Sequence, residues 1–160
     1  MNKEISAFFR GFRYAFHGII ATVQQERNFR FHLCVAVYVY LFSLFYSFDA
    51  LRYVVLTVLV TGVLALELMN SALERAVQDP EPRRDALAGQ AKDMAAAAVL
   101  VFCAGALACA VWLFWDVAVF TQITAWFAGH LLALLGLVLS LAASVWFVFV
   151  FGNKKEKPFD

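Results

Sequence analysis

Residues 117–151 contain no Asp, Glu, Lys or Arg, and neither do residues 94–115. Two further tracts, 31–48 and 51–74, are nearly as apolar along most of their length. A helix that crosses a bilayer needs about 20 mostly apolar residues, and a range of roughly 17–25 serves. In hydrocarbon each backbone N–H and C=O must find its partner within the segment, which a helix does. The chain therefore reads as an all-α integral membrane protein. Its spanning helices are expected at 31–48, 51–74 and 94–115, with a fourth inside 117–151. Composition agrees: 63% of the 160 residues are hydrophobic, against the roughly 45–50% usual in soluble domains.

The positive charges orient this arrangement. With both termini and the 75–93 loop on the cytoplasmic side, 12 of the 13 Lys and Arg lie inside and only Arg52 lies outside. Lys and Arg bias, rather than net charge, sets topology. The outer turns, 47–50 and 116 to about 124, are short. Residues 5–25 differ from the spans. Ile5, Phe8, Phe9, Phe12, Phe16, Ile19, Ile20 and Val23 recur near helical spacing, with Arg10, Arg13, His17 and Gln24 largely between them. That pattern predicts an amphipathic helix at the inner interface.

Cys34, Cys103 and Cys109 sit in apolar segments. Their number and spacing suggest neither a disulfide framework nor a zinc site. The N-terminus scatters its charges among apolar residues and does not read as a cleavable signal peptide. A net charge of +1 points to no nucleic-acid partner. His17, His32 and His130 read as interfacial or packed side chains rather than ligands.

The second span carries an anomaly at its inner end, Leu66-Glu67-Leu68-Met69-Asn70-Ser71-Ala72-Leu73-Glu74. At 3.6 residues per turn, Glu67, Asn70, Ser71 and Glu74 share one side. Glu67 lies roughly 24 Å along the helix from the outer surface, still inside a ~30 Å hydrocarbon layer. A carboxylate there is costly unless it faces protein, water or a cation, so it is a functional candidate. Glu26 and Arg30 before the first span, and Lys92 and Asp93 before the third, come to a similar depth. Acids mixed with bases suit Mg²⁺ and phosphate, because Mg²⁺ is held by one or two carboxylates plus phosphate oxygens. Glu67 and Glu74 are about 10 Å apart along the axis, too far to share an ion. Glu26 with Glu74 is the more plausible metal pair, which leaves Glu67 as the base.

Glu26-Arg27-Asn28-Phe29-Arg30, the Glu67–Glu74 element and Ala91-Lys92-Asp93-Met94 through Val99 together resemble the prokaryotic diacylglycerol kinase and undecaprenol kinase family. The resemblance covers roughly residues 8–115. It implies a small lipid kinase of the bacterial inner membrane that moves the γ-phosphate of MgATP to a lipid alcohol. It further implies a homotrimer with sites shared between neighbours. On it, Glu67 is the base on the lipid hydroxyl, and Glu26 and Glu74 are metal ligands beside the nucleotide. Asn70, Lys92, Asp93 and Tyr14 are nucleotide contacts, Arg30 a substrate contact, and Gly18 lies near the nucleotide and lipid. No Walker-type or soluble-kinase motif is present in the sequence.

Two positions depart from the family pattern: Gln78, followed by Asp79, stands where Asp is usual, and Asp85 replaces a His. Residues 1–115 thus form the expected kinase core, and 116–160 an extra spanning helix with a basic cytoplasmic tail. ERNFR followed by His tips the expected substrate toward undecaprenol over diacylglycerol. The alternative is a non-catalytic transporter subunit or scaffold that binds a coupling ion on the acidic stripe.

Overall fold

The computed structural model describes residues 3–77 and 86–152; Gln78, Asp79, Asp85 and the 153–160 tail lie outside the described residues. Every regular element in the described residues is a helix: α1 (Lys3–Gln25), α2 (Arg27–Ser43), α3 (Ala50–Val77), α4 (Ala86–Phe114), α5 (Val117–Gly129) and α6 (Leu131–Phe149). By length and composition, α3, α4 and α6 can each cross a membrane.

Contacts at the helix ends define the directions. Glu26 meets Arg75, and Glu74 meets Lys92, so α2 and α4 both run antiparallel to α3. At the opposite end the Tyr46 hydroxyl donates to the Phe114 carbonyl at 2.9 Å. Asp49 Oδ1 accepts from Arg52 N at 2.8 Å there, which satisfies an open N–H of the first turn of α3.

Helix boundaries differ from the expected spans in an instructive way. α4 begins at Ala86 rather than 94, and α2 begins at Arg27 and stops at Ser43 rather than 48. Ala, Leu, Gln and Lys are strong helix formers in water as in lipid, so α4 runs past the apolar stretch. The tract 117–151 is not one helix. Asp116 starts α5 by accepting from Ala118 N and Val119 N. The chain then breaks at His130, where φ is −125° and ψ is 75°. His130 Nδ1 lies 2.7 Å from the Trp126 carbonyl, and its ring stacks on Trp126. Thirteen residues make α5 about 20 Å long, and it sits against the far end of α2 through Phe42, Phe45, Trp126 and Phe127. α6 then returns along α2, where the Tyr38 hydroxyl is 3.1 Å from Ser140 Oγ and 3.0 Å from Ser144 Oγ.

The interior is small and unusually polar. Thr22, Arg30, Ser43, Glu67 and Ser71 are as buried as Phe29, Leu56, Val99 and Val148, while most large apolar side chains are exposed. That distribution suits a bundle in lipid, where packing and interhelical polar contacts, rather than apolar burial, hold helices together. α1 follows it: Phe8, Phe9, Phe12, Phe16 and Ile20 are exposed, and only its last turns, around Thr22, are buried.

α3 and α4 approach most closely at Gly62, where a Cβ would run into the Phe102 ring. A stiff ring cannot yield cheaply. Gly62→Ala is therefore expected to destabilise the bundle by about 1–3 kcal/mol, measured as thermal unfolding in micelles. Shrinking the ring in Phe102→Leu should restore much of the loss.

Candidate active site

The polar side of α3 faces into the bundle. Glu67 and Ser71 are buried, Asn70 and Glu74 are half-buried, and Met69 and Ala72 on the other side are exposed. The expected stripe is thus a real face, and neighbouring helices supply partners along it. His32 Nε2 of α2 lies 3.2 Å from Glu67 Oε1. Lys92 Nζ of α4 lies 3.8 Å from Glu74 Oε1. On the next residue of α3, Arg75 Nη2 donates to Glu26 Oε1 at 3.4 Å.

Three acids thus each have a basic partner, all at one end of the bundle. Their settings differ. The Glu67 side chain is 6% exposed, whereas those of Glu26 and Glu74 are 30% and 29% exposed. The dry acid is the inner one, and the two wet acids lie nearer the helix ends. Partly exposed pairs of this kind contribute at most about 1 kcal/mol each, so fold stability does not account for them. Between them, Asn70 Oδ1 is buried without a hydrogen-bond partner in the described residues. Such an atom costs free energy and asks for an explanation.

An apolar groove of ≈ 460 Å³ runs between α2, α3 and α4. Val35, Val39, Leu56, Val60, Ala106 and Leu113 line it, and His32 stands at the end nearest Glu67. A larger recess of ≈ 550 Å³, bordered by Val37, Tyr40 and Tyr53, reaches none of the site acids.

Other expected site residues lie elsewhere. Arg30, the expected substrate contact, is turned away from the stripe and is 2% exposed. Its Nε and Nη2 donate to the Val148 carbonyl at 3.3 and 3.0 Å, and its Nη1 donates to the carbonyls of Val23 and Gln24 at 3.0 and 3.1 Å. The structure makes Arg30 a clasp between α1, α2 and the end of α6. Gly152, at φ +80°, completes the clasp, because a Cβ there would strike the Gln24 carbonyl. Asp93 is exposed, about 100° around α4 from Lys92. Tyr14 is exposed on α1 with the Arg13 guanidinium over its ring, and makes no contact with the stripe. Among the described residues no three His, Cys, Asp or Glu cluster as a ready metal cage.

His32 is the residue that the sequence reading passed over. The signal was one of depth. If Glu26 meets Arg75 and the helices are antiparallel, six residues along α2 and eight back along α3 cover about 9 and 12 Å. Those steps lead to His32 and Glu67.

A family model described as prokaryotic diacylglycerol kinase matches residues 13–114. Undecaprenol kinase of Bacillus subtilis (strain 168) is 36% identical over 100 residues, which is 62% of this chain and 81% of that relative. No solved structure matches the chain. The family match ends at the last residue of α4 and contains every residue of the stripe and its partners, while α5 and α6 lie beyond it. The chain belongs to the prokaryotic diacylglycerol kinase family and is a membrane lipid kinase by that membership.

Proposed function

We propose that the chain transfers the γ-phosphate of ATP to a membrane lipid alcohol, undecaprenol in preference to diacylglycerol. The observation that carries this reading is the graded stripe of α3. A dry carboxylate, Glu67, adjoins the end of an apolar groove, and two wet carboxylates with cationic neighbours lie toward the helix ends. The lipid tail lies in the groove and its hydroxyl comes to Glu67. The nucleotide lies among Glu26, Asn70, Glu74, Lys92 and Arg75, with Asp93 and Tyr14 at its rim.

In the reaction Glu67 accepts the hydroxyl proton. The lipid oxygen bonds to the γ-phosphorus, and the bond from that phosphorus to the bridging oxygen breaks to release ADP. Such transfers depend mainly on positioning and on charge neutralisation. Lys92 exchanges Glu74 for phosphate oxygens when the nucleotide arrives, which the 3.8 Å separation makes inexpensive. Glu26 and Glu74 carry the hard oxygens that suit Mg²⁺, and the unpartnered Asn70 Oδ1 is another. Bound Mg²⁺ would neutralise charge on the β- and γ-phosphates.

In this reading the site end, both termini and the nucleotide face the cytoplasm of a bacterium. α2 is a fourth crossing beside α3, α4 and α6, α1 lies on the inner interface, and the active form is a homotrimer. The preference for undecaprenol draws on the Bacillus relative and on His32 following the ERNFR segment.

Transfer of labelled phosphate from ATP to undecaprenol and to diacylglycerol, offered in one micelle preparation with Mg²⁺, tests the proposal. Faster labelling of undecaprenol is expected. Faster labelling of diacylglycerol reverses the preference, and labelling of neither rejects the activity.

A further inference from the structure

We infer that His32 is a positioning residue for phosphoryl transfer, holding Glu67 by one oxygen so that the other is presented to the lipid hydroxyl. The inference rests on the proposed kinase reading and adds to it a residue from a second helix.

The geometry is specific. His32 touches both parts of the site: its ring lines the apolar groove, and its Nε2 lies 3.2 Å from Glu67 Oε1. Cys103 of α4 is the other polar side chain lining that groove. A nearly buried carboxylate without a partner is expensive, and its side chain would turn toward any water it could reach. One N–H from a neutral imidazole satisfies one oxygen and fixes the rotamer. Lys or Arg at position 32 would instead bring a permanent charge that weakens the carboxylate as a base. Imidazole is the donor that secures the acid without that penalty.

The proton count closes without titrating the histidine. The lipid O–H bond breaks, and its proton goes to the Glu67 oxygen that His32 does not hold. The new O–P bond forms as the bridging P–O bond breaks, and the electron pair leaves on ADP. His32 keeps its Nε2 proton throughout. Its share is orientation, which falls on kcat, because the ground-state contacts of nucleotide and lipid lie elsewhere.

The test compares steady-state kinetics of His32→Ala, His32→Gln, Glu67→Gln and the His32→Ala/Glu67→Gln double variant in micelles. Each protein is checked for thermal unfolding. His32→Ala is expected to lower kcat roughly 10- to 100-fold, with KM for ATP and for the lipid within about threefold of the parent. Gln places an N–H close to the position of Nε2. His32→Gln should therefore recover kcat to within roughly fivefold of the parent, which a loss of ring packing alone would not allow. Removing His32 from Glu67→Gln should produce no further loss, because the two residues act as a unit.

Parental kcat in His32→Ala overturns the inference. So does a His32→Gln no better than His32→Ala, or a further tenfold loss in the double variant. An inactive parent rejects the kinase reading together with the inference. A fully active Glu67→Gln rejects the base role of Glu67, and with it the function assigned to His32.

Discussion

Glu67→Gln should leave a folded protein that binds ATP and transfers almost no phosphate. Glutamine keeps the shape of the side chain and an oxygen facing His32, 3.2 Å away in the parent. The bundle around position 67 therefore has no reason to repack. What glutamine lacks is a site for the hydroxyl proton. General-base catalysis contributes about 10²–10⁴-fold, and a loss of that size in kcat is expected, with KM for ATP nearly unchanged. Single-turnover transfer in micelles, with nucleotide binding measured separately, checks both halves. Activity within a few-fold of the parent would remove Glu67 from the chemistry and return the stripe to a purely structural role.

Arg30→Met should have its largest effect on stability. Methionine keeps apolar length and removes the donors that reach the carbonyls of Val23, Gln24 and Val148. A buried polar group left without a partner costs roughly 1–3 kcal/mol, and three carbonyls lose a partner together. A loss of about 3–5 kcal/mol is expected, read as a fall in the thermal midpoint in micelles. Labels placed on α1 near position 20 and on α6 near position 145 should move apart. If Arg30 were instead a lipid contact, Arg30→Met would raise KM for the lipid and leave the midpoint in place. The same two measurements therefore decide between clasp and contact.

Much of this architecture was legible because apolar length is a direct consequence of solvent. The helical class, the reach of α3 through Glu74 and the inward polar side at 67, 70, 71 and 74 all follow from period and hydropathy. Helix ends were less legible. Counting apolar residues locates the boundary of lipid, whereas α4 continues eight residues beyond it in sequence that favours helix anyway. The break at His130 was hidden because both sides of it are equally apolar, and only backbone geometry and the Trp126 contact mark it. The partners were hidden for another reason. Arg30 and His32 are two residues apart on α2 and point about 200° apart around it, so one clasps α6 and the other meets Glu67. Position along the chain sets depth; only packing sets which neighbour a side chain meets. Asp93 illustrates the same limit, since its neighbour Lys92 faces α3 and it does not.

The clasp has a practical corollary for anyone handling this protein. α6, added beyond the shared catalytic portion, is tethered at its far end to the same stretch of α2 that carries Glu26 and His32. A reporter fused behind Gly152 would tug on that tether, and the strain would travel one helical turn to the catalytic carboxylate. Fluorescent or affinity handles on this enzyme belong in front of α1, whose exposed first turns bear on nothing that the chemistry uses.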